Sequence, residues 1–305
     1  MSQPSVRKNF IFRACYEVLL LLTPLITTPY VARVLNSDGL GIASYTGSIM
    51  AFFTMFAALG TPQYGMREIA RNRDTPEKAS KLFWEIELMT VFTSLLCLAV
   101  WIGVCIFYTE YSHYLFALIP NLLATMFDIS WFFTAYEKVG YTVGRNAFFK
   151  LLGIVLLSTF IKSKSDLLLY IFLMSLTGML GSLSMWTYLP KMLVRTDMHG
   201  LQFKKHFHET LVYFVPTIAT SVYTILDKFL LGVIVNNNDI NGYYDQAGKI
   251  YHIINALVFT SLNAVMEARI SWLFAQGADE EIRHRIRRSI DFTHEVKVMS
   301  REKER

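Results

Sequence analysis

Eight stretches of this 305-residue chain are apolar over roughly the length a helix needs to cross a lipid bilayer. They cover about 10–33, 40–60, 83–108, 114–136, 146–162, 166–189, 211–235 and 243–266. No other feature constrains the fold as strongly. A segment in hydrocarbon must satisfy its own backbone N–H and C=O groups, and a helix does so within one run. The alternating pattern of a lipid-facing strand is absent, which argues against a barrel. The expected fold class is all-α integral membrane, with about eight transmembrane helices. Composition agrees: 53% of residues are hydrophobic and 17% charged, against about 25% charged in ordinary soluble domains.

The net charge is +5, but the basic residues sit between apolar runs, as membrane orientation requires, so nucleic acid is not an expected partner. One set of loops holds thirteen Lys and Arg, among them Arg67, Arg71, Arg73, Lys78, Lys81, Lys204 and Lys205. The opposite set holds three, Arg33, Lys162 and Lys164. The positive-inside rule then places both termini in the cytoplasm. The first apolar run carries Arg13 and Glu17 and is long, so a retained span is expected there rather than a cleaved signal. Cys15, Cys97 and Cys105 all lie inside apolar runs, which leaves no disulfide framework and no metal-ligand spacing.

The chain also contains a repeat. Asp38, Gly41, Gly47 and Ile49 recur as Asp239, Gly242, Gly248 and Ile250, all at an offset of 201. Each copy follows an apolar run with an early proline, Pro24 or Pro216, and each is followed by an Arg-Ile pattern. A period this long suggests a duplicated lobe rather than a solenoid unit. The copies begin at the first and seventh spans. An even separation gives both the same orientation, as in carriers whose halves are related by an axis along the membrane normal. The expected domains are a six-helix lobe with its cytoplasmic linker over 1–205, the first two helices of a second lobe over 206–266, and a charged cytoplasmic tail over 267–305. That tail holds nine Lys/Arg and eight Asp/Glu and no run of spanning length. The second lobe is therefore expected to be cut short, by truncation of the gene or because a partner supplies the remainder.

Polar residues inside a span are costly unless they face a cavity or a partner. Arg13, Glu17, Pro24 and Thr28 recur at helical spacing on the first span; either Arg13 and Glu17 pair near the cytoplasmic surface or they take a lumenal role. Asn121, Thr125 and Asp128 share a face of the fourth span beside Trp131, Phe132 and Phe133. Asp128 reads either as a proton or ion site or as a carboxylate bonded between helices. Asp227 and Lys228 lie within the seventh span, and Asp245, Lys249 and His252 follow one face of the eighth. Under the repeat, Asp245 and Lys249 correspond to Ser44 and Ser48. Lys228 and Lys249 could meet an anionic group such as a pyrophosphate; equally, Asp227 and Asp245 could neutralise them. His252 is able to titrate near neutral pH. Gly41, Gly47, Gly178 and Gly181 are expected at helix contacts. No nucleotide-binding motif and no hydrolase-like Ser, His and carboxylate order is present, so neither a cofactor nor catalysis is expected.

The runs PLITTPYVARVLNSDGLGIASYTGSI, ALGTPQYGMREIAR, FDISWFF, LDK at 226–228 and NGYYDQAGKI occur in one order. Together they resemble the bacterial polysaccharide flippases that move lipid-linked O-antigen or capsular repeat units. That family belongs to the superfamily of the multidrug and toxin extrusion antiporters. The resemblance runs from about residue 9 to residue 277. It implies a two-lobed helical carrier of the bacterial inner membrane that works by alternating access. It further implies an undecaprenyl-pyrophosphate-linked oligosaccharide as substrate, a cationic central cavity, proton or sodium coupling, and other polysaccharide-assembly membrane proteins as partners. The candidate anion-binding positions on this sequence are Arg13, Lys228 and Lys249, of which the resemblance itself carries Lys228 and Lys249. The candidate coupling positions are Glu17, Asp128, Asp227, Asp245 and His252, of which the resemblance itself carries Asp128, Asp227 and Asp245. Two other readings stay open: an ion-coupled multidrug antiporter, which should have a net acidic cavity, and a shortened flippase without activity. A glycosyltransferase or polymerase would need a sizeable extracytoplasmic loop, and these loops are short.

Overall fold

The computed structural model describes residues 6–197, 199–235, 237–251 and 253, and of residues 6–14, 139, 223 and 224 the backbone alone. The chain divides into two compact units, Met1–Gly248 and Lys249–Arg305; the described residues of the second, 249–251 and 253, are helical.

Within the first unit the order is α1 (Val6–Ala58), α2 (Thr61–Asn72), α3 (Pro76–Phe107), α4 (Ser112–Ala117), α5 (Ile119–Met126), α6 (Ser130–Ala135), α7 (Val139–Phe160), α8 (Leu167–Met185) and α9 (Phe203–Ile234). A last helix, α10, starts at residue 238. No strand occurs among the described residues. Among the described residues, four helical stretches are long and apolar enough to cross a membrane, and up to six if each of two bent pairs is one span.

The first stretch departs from expectation in form. Residues 15–72 form one helical stretch of 58 residues by apolar length, which if straight would reach roughly 85 Å, far beyond a hydrocarbon core of about 30 Å. It is folded by backbone breaks. Asn36 leaves the helix at φ 58, ψ 178, and Leu59 and Gly60 follow with φ 44 and 76. Asparagine tolerates positive φ better than most residues. The expected loop at 34–39 is thus a single-residue break between two helical arms. Beyond the second break, α2 takes the place of an expected loop. It buries Thr61, Tyr64, Gly65 and Ile69 along one side and leaves Arg67 and Arg71 outside, an amphipathic pattern too short and polar to span.

The expected fourth span, 114–136, is a broken one. Its α4 part and its α5–α6 part meet at 42°. A second break separates α5 from α6 at 127–129, and it is held in place by side chains. The Trp186 indole N–H donates to the Phe127 carbonyl at 2.9 Å, and the Ser130 amide donates to the Asp128 carboxylate at 2.9 Å. Around it lies an aromatic core of Phe83, Trp131, Phe132 and Phe133, with Trp131 stacked on Phe83 at 5.7 Å. Gly65 makes room for that indole: a Cβ there would sit 2.5 Å from the Trp131 ring. A second core joins α1, α3, α4 and α8 around Leu35, Met50, Trp101, Leu115 and Ile171.

The repeated segments touch each other. Ser37 donates a hydrogen bond to Asp239, and the Asn238 amide donates to Asp38 at 3.1 Å. A Cβ on Gly41 would lie 1.8 Å from the Asn238 carbonyl oxygen, and one on Gly242 would lie 2.2 Å from that of Ser37. Under the offset of 201, Ser37 corresponds to Asn238, Asp38 to Asp239 and Gly41 to Gly242. Each contact therefore occurs twice with the copies exchanged, and only glycine permits the close approach.

Candidate functional site

A cavity of about 700 Å³ lies among α1, α2, α3, α5, α6, α8 and α9. The second arm of α1 gives Met50, Ala51 and Thr54; α5 gives Asn121 and Thr125; α9 gives Thr217, Ser221 and Ile225. Asn121, Thr125 and Asp128, expected on one face from their spacing, do line it together. Thr125 is bonded back to the Asn121 carbonyl at 3.1 Å, so its oxygen lone pairs remain for a ligand. Thr90 bonds Thr61 at 3.0 Å and ties α3 to α2 at the cavity wall. Gly47 and Gly178, expected at helix contacts, instead face this cavity, with nothing within 4 Å of where a Cβ would stand. Gly41 does sit at a contact, and a Cβ on Gly181 would stand 3.7 Å from Phe149.

A second cavity of about 400 Å³ lies among α1, α7 and α8. It shares Asp128, Gly178 and Ser182 with the first, so the α5–α6 break forms part of both walls.

The expected site residues fall in different places. Asp128 lines both cavities. Glu17 is exposed on α1, next to Tyr16 of the second cavity. Arg13 is helical, but its side chain lies outside the described residues, as does His252. Lys228 and Asp245 are joined at 2.5 Å, with Asp245 buried. Asp227 accepts a hydrogen bond from the Tyr244 hydroxyl at 2.6 Å. Both pairs tie α9 to α10, and Asn241 adds a 3.2 Å bond to the Lys228 carbonyl. Lys249 opens the second compact unit. Among the described residues, neither Lys228 nor any other Lys or Arg lines the larger cavity, whose one ionisable wall residue is Asp128.

Three groups escape sequence reasoning. The first is a buried chain of Tyr64, His206 and Glu85, with Nδ1 of the histidine 2.6 Å from the Tyr64 hydroxyl and Nε2 2.8 Å from Glu85. The second Glu85 oxygen accepts from the Gln202 amide at 3.0 Å, which pins the start of α9 to α2 and α3. Glu87 is buried one turn before Thr90, and neither of its carboxyl oxygens has a partner among the described residues. Lys150 stands in the middle of α7 and lines the second cavity. The only signal for Glu87 and Lys150 was a charge inside an apolar run; nothing local pairs His206 with a residue 121 positions away.

Long apolar helices packed around a polar cavity define a multi-pass α-helical membrane protein. Residues 6–267 match the family of polysaccharide biosynthesis proteins, and the chain belongs to that family. Two relatives carry the description "Putative O-antigen transporter". The one from Escherichia coli (strain K12) is 22% identical over 273 residues, 87% of this chain and 64% of that protein. The one from Shigella dysenteriae is 23% identical over 235 residues, 74% of this chain and 58% of that protein. The chain thus spans less than two thirds of either relative. A solved structure named protein A shares the fold at a TM-score of 0.55 and 18% identity, over 83% of this chain and 63% of that one.

Proposed function

We propose that this chain forms part of a carrier that flips an undecaprenyl-pyrophosphate-linked oligosaccharide across the bacterial inner membrane by alternating access. The observation that carries the reading is the 700 Å³ cavity, within the range of about 300–1,000 Å³ typical of small-ligand sites. Its wall of hydroxyl and amide groups, with Trp131 at one side, suits sugar rings. The exchanged contacts at 37–41 and 238–242 support a duplicated, two-lobed carrier with lobes over 1–205 and 206–266. The description of both relatives points the same way. In this reading both termini are cytoplasmic. Asp128 is the coupling group of the cavity, with Glu17, Asp227, Asp245 and His252 as further proton or sodium positions. Arg13, Lys228 and Lys249 meet the pyrophosphate when the lobes move and the Lys228–Asp245 pair opens.

The test is complementation of a flippase-deficient bacterium by the full chain, with Lys228→Ala and Lys249→Ala beside it. Restored surface polysaccharide in the wild type and loss in both variants is the expected result. Good membrane expression without polysaccharide sinks the reading. One observation favours a second reading, an antiporter of cationic compounds: the ionisable group on the larger cavity's wall is acidic. Resistance to cationic dyes without restored polysaccharide would select it.

A further inference from the structure

The second cavity holds a charge that the carrier reading does not use. Lys150 is the twelfth of the 22 residues of α7, so it stands roughly 15 Å from either end of the helix. That is further than a lysine stem can snorkel. Its neighbours Phe148, Leu151 and Val155 are exposed at 50–60%, as lipid-facing residues are. Asn146, Gly153, Ile154 and Leu157, at helical spacing from Lys150, line the second cavity with it. An ammonium at this depth costs about 3 kcal/mol or more unless something answers its charge. Among the described residues, no side chain is paired with it. The described ion pairs do not include Lys150, and no hydrogen bond is made by its ammonium. Asp128, the carboxylate on the same wall, is bonded to the Ser130 amide.

The rest of the wall shows what would answer it. Thr23, Thr27 and Thr177 spend their protons on their own helices, at 2.7, 2.9 and 3.0 Å. The donors that remain are the Lys150 ammonium, the Asn146 amide, which also bonds Tyr16, and the hydroxyls of Tyr16, Tyr170, Ser130 and Ser182. We infer that the second cavity is an oxyanion site, centred on Lys150, for a phosphate-bearing ligand. A phosphate or pyrophosphate group accepts from all of these donors and supplies the missing countercharge. Two sources share this chemistry, the headgroup of an isoprenoid lipid and a soluble phosphate. The site stands whether or not the chain is a carrier.

The test is calorimetric titration of the purified full chain in detergent with sodium pyrophosphate and with farnesyl pyrophosphate, using wild type, Lys150→Met and Lys150→Arg. Saturable binding to wild type, weakened about tenfold or more in Lys150→Met and kept in Lys150→Arg, is expected. Tighter binding of the farnesyl compound assigns the site to a lipid headgroup; equal affinity assigns it to a soluble anion. Undiminished binding by Lys150→Met, or no binding of either probe to wild type, overturns the inference. If Lys150→Met does not fold, Lys150→Gln takes its place. Complementation is read separately: binding without complementation ends the carrier reading alone, and complementation without binding ends this one alone.

Discussion

His206 shows how one side chain fixes an element. Its two ring nitrogens join a tyrosine on α2 to a carboxylate on α3, and the histidine and Glu85 are 1% and 3–4% exposed. Replacing it with alanine leaves a buried carboxylate with half its partners, a loss usually near 3–5 kcal/mol. His206→Ala should therefore lower the thermal unfolding midpoint in detergent by several degrees, and Glu85→Gln with it should recover part of the drop. An unchanged midpoint would show that the network bears no weight. Asp128 separates structure from function. Asparagine keeps an oxygen where the Ser130 amide donates, so Asp128→Asn should stay within about 0.5 kcal/mol of wild type while abolishing ion or proton dependence of transport. Equal transport at every pH and sodium concentration would remove Asp128 from coupling. Asp128 was legible as one member of a helical stripe; its true place, at a break shared by two cavities, was not. Spacing says which side of a helix a residue takes, not where the helix stops.

At the scale of elements, apolar length showed where helices lie, and backbone chemistry decided how they are cut. The runs at 83–108, 146–162 and 166–189 return as α3, α7 and α8 with shifted ends. The run at 114–136 returns in pieces, because the Trp186 indole and the Asp128 carboxylate satisfy backbone groups that a continuous helix would satisfy internally. Segment 61–72 looked like a charged loop, since its buried positions are too few to register as a span. Glycines divide the same way. Small residues were expected at contacts, yet Gly178 fronts open space while Gly41 meets a carbonyl. Gly178→Val should leave the unfolding midpoint unchanged and reduce transport by narrowing the 700 Å³ cavity. Gly41→Ala should do the reverse to stability, because its Cβ would stand 1.8 Å from the Asn238 oxygen. A drop of about 1–3 kcal/mol is expected from that overlap. If the two variants behave alike, the distinction between cavity and contact glycines fails.

Across the whole first unit, α9 runs from the His206 network past the cavity wall at Thr217, Ser221 and Ile225, and the start of α10 beyond it makes the exchanged contacts of Asn238 and Asp239. The cavity is thus flanked by two polar attachments of very different kind. The His206 end is buried and its acceptors are filled, whereas the Ser37–Asp239 and Asn238–Asp38 bonds lie at exposed turns. Bonds between exposed groups contribute little each and break readily. In a carrier, the exposed attachment is the one that should part, and glycine contacts let it close again without side-chain rearrangement. Ser37→Cys with Asp239→Cys, in a chain whose three native cysteines are alanine, tests this directly. Oxidation should lock the turns together and stop transport by at least tenfold, and a reducing agent should restore it. A second pair, Tyr64→Cys with His206→Cys, addresses the buried end; because it also removes the His206 bonds, its transport is read against the reduced form of the same variant, which linking should leave largely unchanged if that end is a pivot. Transport that continues with the first pair fully linked would mean the repeated turns do not separate during the cycle, and the motion would have to be sought at the α2–α3–α9 junction instead.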